Sequence, residues 1–116
     1  MAAAALPQQD FIGSRATNFD QVSYDFRLTK TALLKAPVWN PNVPSPPLSP
    51  QKAQEIAAAQ LKHLVPEVYQ WMRVSTITLE VLDGPYWIYL VTFDYVPPTA
   101  YSGPARLFTI PVYLDG

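Results

Sequence analysis

The first sustained alternation of apolar and polar positions follows Phe19. Apolar side chains then recur at every second position: Val22, Tyr24, Phe26 and Leu28. A period of two places one set of side chains on one face of a strand, so the pattern predicts a strand over 19–36, bent where residues 32–34 break the alternation. Residues 1–18 show no sustained periodicity and are predicted to be a flexible N-terminal lead-in.

A helix is predicted over 50–65, after a proline-rich connector over 37–49. The prolines exclude a helix and a central strand there and favour an extended spacer, or else a ligand for an aromatic-lined groove. Ser49 can cap the first helical turn, and Pro50 suits the first helical position. Apolar residues then recur at helical spacing: Ala53, Ile56, Ala57, Leu61 and Leu64.

Alternating patterns predict three further strands, over 73–82, 86–96 and 106–114. Asp83-Gly84 marks a hairpin turn, and Pro85, which lacks an N–H, favours a longer or bulged connection there. The middle strand is apolar on both faces, which is typical of a central strand. Pro111 cannot donate to a ladder, so the last strand is expected at an edge of the sheet.

Two registers are open for the hairpin between the first two of these strands. If Leu82 pairs with Tyr86, one face gathers six apolar side chains toward the helix: Ile77, Leu79, Val81, Trp87, Tyr89 and Val91. We favour this register. Under either one, the far face of the central strand is more apolar than a solvated sheet face needs, so we expect another element to cover it.

The elements together predict an α+β fold, with one helix packed on a curled antiparallel sheet of about four strands in the order β-α-β-β-β. The chain of 116 residues has room for a single domain, expected over 19–116. Its hydrophobic fraction of 49% supplies enough apolar surface to offset the entropy of ordering the chain.

The composition of the chain excludes several classes of partner and site. The formal net charge is -1 and no basic run occurs, so nucleic-acid binding is not expected. The absence of cysteine excludes disulfides and thiolate metal sites. No apolar run approaches the roughly 20 residues of a membrane helix, so membrane insertion is not expected. Ala2–Ala5 before Leu6-Pro7 is typical of the end of a signal peptide or of an alanine-rich leader, and we expect a secreted or periplasmic protein.

Short motifs in the second half suggest a family. They are Leu48-Ser49 opening a helix with Ala53, Ile56 and Ala57; Ile77-Thr78-Leu79-Glu80; Asp83-Gly84; Trp87-Ile88-Tyr89-Leu90-Val91; and Leu114-Asp115-Gly116. Over 48–116 this pattern resembles a PepSY-like domain, and the strand before the helix makes the whole similar to the cystatin-like arrangement. The resemblance implies a place in the bacterial cell envelope and a role in restraining peptidases, with no catalytic residue. The cystatin inhibitors' Gln-x-Val-x-Gly and Pro-Trp motifs are absent, so shared inhibition is not implied.

No catalytic, cofactor or metal site is predicted. His63, the only histidine, falls at the end of the helix, where an imidazole interacts with the helix dipole. Glu80, Asp83 and Asp94 could approach one another across the hairpin, but charges near turns and strand ends are usually solvated. No serine elbow and no glycine-rich phosphate loop occurs in the sequence.

Aromatic side chains are the candidate contact with a partner. Those on the strands are Trp87, Tyr89, Phe93, Tyr95 and Tyr113, and Tyr101 lies in the loop over 97–104. Tyrosine and tryptophan suit interfaces because each has an apolar body and a polar tip. The alternative is that about half of the rings on the strands fill the helix–sheet core and the rest cover the opposite face of the sheet.

We therefore expect a non-enzymatic binding or regulatory module that acts through protein–protein contact, or through self-association, on its sheet face or edge. One alternative is a small-molecule pocket or weak hydrolase in the concavity of a cystatin-like sheet. Another is a structural segment of a longer envelope protein. A core filled between helix and sheet would argue against the pocket.

Overall fold

A computed structural model describes residues 11–98 and 106–116. The elements in these ranges are β1 (Phe11–Phe19), β2 (Val22–Thr29), α1 (Lys30–Lys35), α2 (Pro50–Leu64), a 3-10 turn (Tyr69–Trp71), β3 (Met72–Asp83), β4 (Tyr86–Tyr95) and β5 (Leu107–Tyr113). Within the described residues the strands form two antiparallel sheets, a hairpin β1–β2 and a meander β3–β4–β5. The α+β class is confirmed, whereas the single curled sheet of four strands is wrong.

Strand β1 occupies part of the predicted lead-in, which is wrong from Phe11 onward. Residues 1–10 lie outside the described residues. β2 pairs with β1 instead of joining the meander. The apolar pattern of β1 is weak because the face that contacts the meander carries Arg15 and Thr17 as well as Phe19. These two polar side chains bond to distant residues.

The predicted strand over 19–36 ends at Thr29, and α1 follows. The side-chain oxygen of Thr29 accepts a hydrogen bond from the N–H of Ala32 at 3.3 Å and so caps the first turn. The N–H of Thr29 donates to the phenol oxygen of Tyr113 on β5 at 3.1 Å. The break in alternation over 32–34 is therefore a short helix, not a bent strand.

Helix α2 begins at Pro50 as predicted and ends at Leu64, one residue before the predicted end. The predicted strands over 73–82, 86–96 and 106–114 are confirmed within one residue at each end. Ser49 Oγ accepts from the N–H of Lys52 at 3.1 Å, and Pro50 is the first helical residue. The inner face of α2 carries two alanines, which let the helix lie close to the sheet. Buried side chains fill the space between α2 and the meander: Ala53, Ala57, Leu61, Tyr89, Val91, Phe93, Phe108, Ile110 and Val112.

The favoured hairpin register is confirmed along most of its length. Ile77 pairs with Val91, Leu79 with Tyr89, and Val81 with Trp87. At the turn, Asp83 and not Leu82 pairs with Tyr86, because Leu82 lies in an irregularity of the ladder. The bulged connection expected from Pro85 is present.

The far face of β4 is covered from within the chain. Ile88 is fully buried and clusters with Leu28 of β2 and Leu33 of α1. On the same side of the meander, Arg15 of β1 makes an ion pair of 2.6 Å with Glu80 of β3. The cover that the doubly apolar pattern predicts is therefore the N-terminal hairpin together with α1.

Thr17 joins the hairpin to the edge of β5. Its Oγ1 accepts from the N–H of Thr109 at 3.1 Å and donates to the C=O of Thr109 at 3.2 Å. These backbone groups of Thr109 therefore point away from β4. Because orientation alternates along an antiparallel ladder, residue 111 also faces outward, and there Pro111 leaves no N–H exposed. The edge position predicted from Pro111 is confirmed.

Replacing Thr17 with Val should lower the free energy of unfolding by about 1–3 kcal/mol, because both backbone groups of Thr109 lose their partner. Thr17→Ser keeps the hydroxyl and should lose clearly less. Urea denaturation of the two variants measures the difference. Equal losses for both would show that the hydroxyl contributes nothing.

The turn between β1 and β2 is strained. Asp20 and Gln21 have φ of 54° and 65°, as a two-residue hairpin turn with two left-handed residues requires. Gln21→Gly should raise the free energy of unfolding by about 1 kcal/mol, because glycine adopts this φ without a Cβ clash. Gln21→Ala is the control and should bring no gain. A glycine variant that melts no higher than the alanine variant would contradict this account.

Candidate functional site

Two of the six aromatic residues predicted to contact a partner lie in the core. Tyr89 and Phe93 are 1% and 4% exposed, so they offer no contact surface. Tyr95 packs edge-on against Phe19 with ring centroids 5.9 Å apart. Tyr101 lies outside the described residues.

The remaining two are engaged with the N-terminal half of the chain. Tyr113 accepts the hydrogen bond from Thr29, and Trp87 packs edge-on against Trp39 of the proline-rich connector, with ring centroids 5.1 Å apart. The N–H of Trp39 also donates to the C=O of Pro85 at 3.1 Å. The five described rings therefore have intramolecular partners.

The concavity that a ligand pocket would need is filled. Ala53, Ala57 and Leu61 of α2 are fully buried against the meander. A groove of about 200 Å³ lies beside this core, between α2, β2 and the outer side of β5. Its lining includes Phe26, Ile56 and several β5 residues and carries no charged side chain, so it lacks convergent groups for hydrolysis.

The outer edge of β3 keeps hydrogen-bonding capacity at three successive outward-facing residues. Thr109 points away from β4, so Thr92, its pair, points toward β3. The even-numbered residues of β4 therefore bond to Thr76, Thr78 and Glu80. The residues between and beyond them, Ile77, Leu79 and Val81, direct their N–H and C=O groups outward.

No hydrogen bond from another described residue reaches the outward groups of Ile77, Leu79 and Val81. The same three side chains face α2: Ile77 and Leu79 are half-buried, and Val81 is 53% exposed. The strand carries no charge from Val74 to Leu79. We call the row formed by Ile77, Leu79 and Val81 the β3 edge.

The charged groups considered from sequence do not come together. Glu80 is paired with Arg15, whereas Asp83 and Asp94 lie at opposite ends of the β3–β4 ladder. His63 is exposed in the last turn of α2. Among the described residues, no group of three or more His, Cys, Asp or Glu side chains could hold a metal ion. No helix in the described ranges is long and apolar enough to cross a membrane.

Comparison with protein-family models, with curated proteins and with solved structures finds no match for this chain. The β3 edge itself consists of backbone donors and acceptors beside an apolar strip. Such an edge binds an extended chain by adding it to the sheet.

Tyr89 has a structural role that a pH series can measure. Its hydroxyl donates to the C=O of Leu48, 2.5 Å away, directly before the cap of α2. Burial raises the pKa of the Tyr89 phenol above its ordinary value of 10.0. The neutral form is thus favoured in the folded state, and its contribution is complete below pH 10 and lost as pH rises through the raised pKa.

Tyr89→Phe should lower the free energy of unfolding by about 1 kcal/mol at neutral pH, because the bond to Leu48 is lost. Above pH 10 the gap between the two proteins should narrow, because the native phenol ionises more readily once unfolded. Urea denaturation at a series of pH values measures the gap. A gap independent of pH would contradict the raised pKa.

Proposed function

We propose that this chain is a non-enzymatic binding module that takes up an extended segment of a partner protein along the β3 edge. The observation that carries the proposal is the row of outward backbone groups at Ile77, Leu79 and Val81, in a strand whose other side is fully engaged with β4. Main-chain hydrogen bonds give such an added strand its affinity, and alternate side chains give its selectivity.

The arrangement of layers favours the edge over a sheet face. Helix α2 packs on one face of the meander, and Leu28 and Leu33 pack on the other. The opposite edge, β5, is bonded to Thr17 and contains Pro111, which cannot donate. The β3 edge is the part of the described sheet where neither a cover nor a proline interferes.

The edge also indicates what kind of segment it would take. On the α2 side an added strand would contact Ile77, Leu79 and Val81, and on the other side Thr76 and Thr78. Cross-strand neighbours stabilise a sheet when apolar faces apolar and polar faces polar. We therefore propose a partner segment with alternating apolar and polar residues.

A secreted or periplasmic location and a regulatory role of the PepSY kind belong to the same proposal. The alanine-rich start and the short motifs over 48–116 support them. An envelope module without catalytic groups would act by holding another protein, which is what an edge that accepts a strand can do.

Proline at position 77 should weaken this binding while leaving the fold intact. The N–H of Ile77 points outward, so proline there removes a donor from the edge and none from the β3–β4 ladder, as Pro111 already does in β5. Peptides of about 12 residues, selected from a random display library on the native chain, serve as probes. Fluorescence polarisation should show them binding Ile77→Pro at least about tenfold more weakly.

Three controls make the outcome decisive. Thr78→Pro removes an N–H that faces β4 and should destabilise the fold by about 3 kcal/mol or more. Val81→Pro repeats the test at a more exposed outward position, in case Ile77→Pro folds poorly. Leu34→Ser alters an exposed apolar side chain on α1 and should leave peptide binding unchanged. Selected peptides that bind both outward-proline variants as tightly as the native chain would refute the proposal.

A further inference from the structure

We infer that the segment added at the β3 edge is the β3 edge of a second copy of this chain, paired antiparallel about a two-fold axis. The inference rests on the proposed function and names its partner.

The charges of β3 favour a copy of itself. Arg73 lies near the start of the strand, Glu80 and Asp83 lie near its end, and the residues between are uncharged. When two identical strands pair antiparallel, the start of each meets the end of the other, so the cationic start of each copy lies beside the acidic end of the other. Parallel pairing would place like charges together, which destabilises a sheet. A two-fold contact of this kind is also closed, because both copies use the same surface.

The pairing of β3 with β4 indicates the register. With Thr78 on the axis, Ile77 of each copy would exchange backbone hydrogen bonds with Leu79 of the other, and both residues direct these groups outward. The ladder between β3 and β4 skips Ser75 and Leu82. When these two residues are skipped in the dimer as well, Arg73 of one copy and Asp83 of the other form the fourth pair counted from Thr78. Each Arg73 would therefore face Asp83 of the other copy.

The side chains that this register brings together are available. Arg73 and Asp83 are exposed, and neither makes an ion pair with another described residue; Arg73 makes none even with Asp94, its cross-strand neighbour. Glu80 would keep its bond to Arg15, because the register places it opposite Thr76.

The apolar side of the contact is complementary too. Val81, which is 53% exposed, would face Val74 of the other copy, and Ile77 would face Leu79. The two meanders would form one continuous sheet with both α2 helices on the same face. One strand pair buries little area, so the dimer belongs to the weak class of interfaces.

Analytical ultracentrifugation of the full chain, from about 10 μM to 1 mM, tests the inference. The native chain should shift from monomer to dimer with rising concentration, and Ile77→Pro should remain monomeric. Arg73→Asp and Asp83→Arg should each weaken the dimer by about tenfold, because like charges then meet at both ends of the contact.

An equimolar mixture of these two charge variants should restore the dimer. In the mixed pair the two substituted residues face each other with opposite charge, and so do the two native ones. Lys52→Asp, on the exposed face of α2, is the matched control and should leave the dimer unchanged.

A native chain that is monomeric throughout would overturn the inference, as would a dimer that resists Ile77→Pro or the charge reversals. If the native chain stays monomeric while the library peptides still bind it and lose affinity for Ile77→Pro, the proposed function stands and the second copy is not its partner. If neither dimer nor edge-dependent peptide binding occurs, both proposals fall.

Discussion

Strand β4 is apolar on both faces, and neither face can stay in water without forfeiting the free energy of burial. One face carries Tyr89 and Phe93 and is covered by α2, whose alanines allow close approach. The other carries Ile88, which α2 cannot reach, so a second layer has to be recruited from the N-terminal part of the chain. The hairpin β1–β2 and the short helix α1 provide it. The meander is thus a sheet covered on both sides.

Because both faces of the meander are covered, its two edges are where its backbone can meet another chain. The β5 edge is closed by the hydroxyl of Thr17, a side chain that stands where the backbone of a fourth strand would be, and by Pro111, which could not support such a strand. The β3 edge has no equivalent among the described residues. The two irregularities in its ladder, at Ser75 and Leu82, are the kind of feature that limits uncontrolled pairing of long edge strands. The proposed pairing of two β3 edges, which is short and depends on charge, is compatible with these irregularities.

Helix α2 and the meander could be predicted from sequence because their signals are local: a serine cap, a proline at the first turn, and periods of 3.6 and 2. Strand β1 could not, because Arg15 and Thr17 face the meander and their partners, Glu80 and Thr109, are distant in sequence. Helix α1 is too short to show a period. The aromatic residues predicted to contact a partner include both core and partly exposed side chains, since a tyrosine fits the alternating pattern of a strand whether it is buried or exposed. The β3 edge could not be predicted from the sequence, because it depends on the order of the strands and on which backbone groups face outward.

The bond between Thr17 and Thr109 joins positions 92 residues apart. The hairpin and the meander each consist of pairings between strands that follow one another in sequence, which close small loops, whereas this junction closes most of the chain. It is therefore the contact expected to form last during folding and to open first in the folded protein. Ile88 lies under the hairpin and α1, so an opening that separates both of them from the meander would expose Ile88 to water while both sheets remain intact. Amide exchange in this region would report a local opening well below the global free energy of unfolding, and the partly open form would be the species most exposed to aggregation.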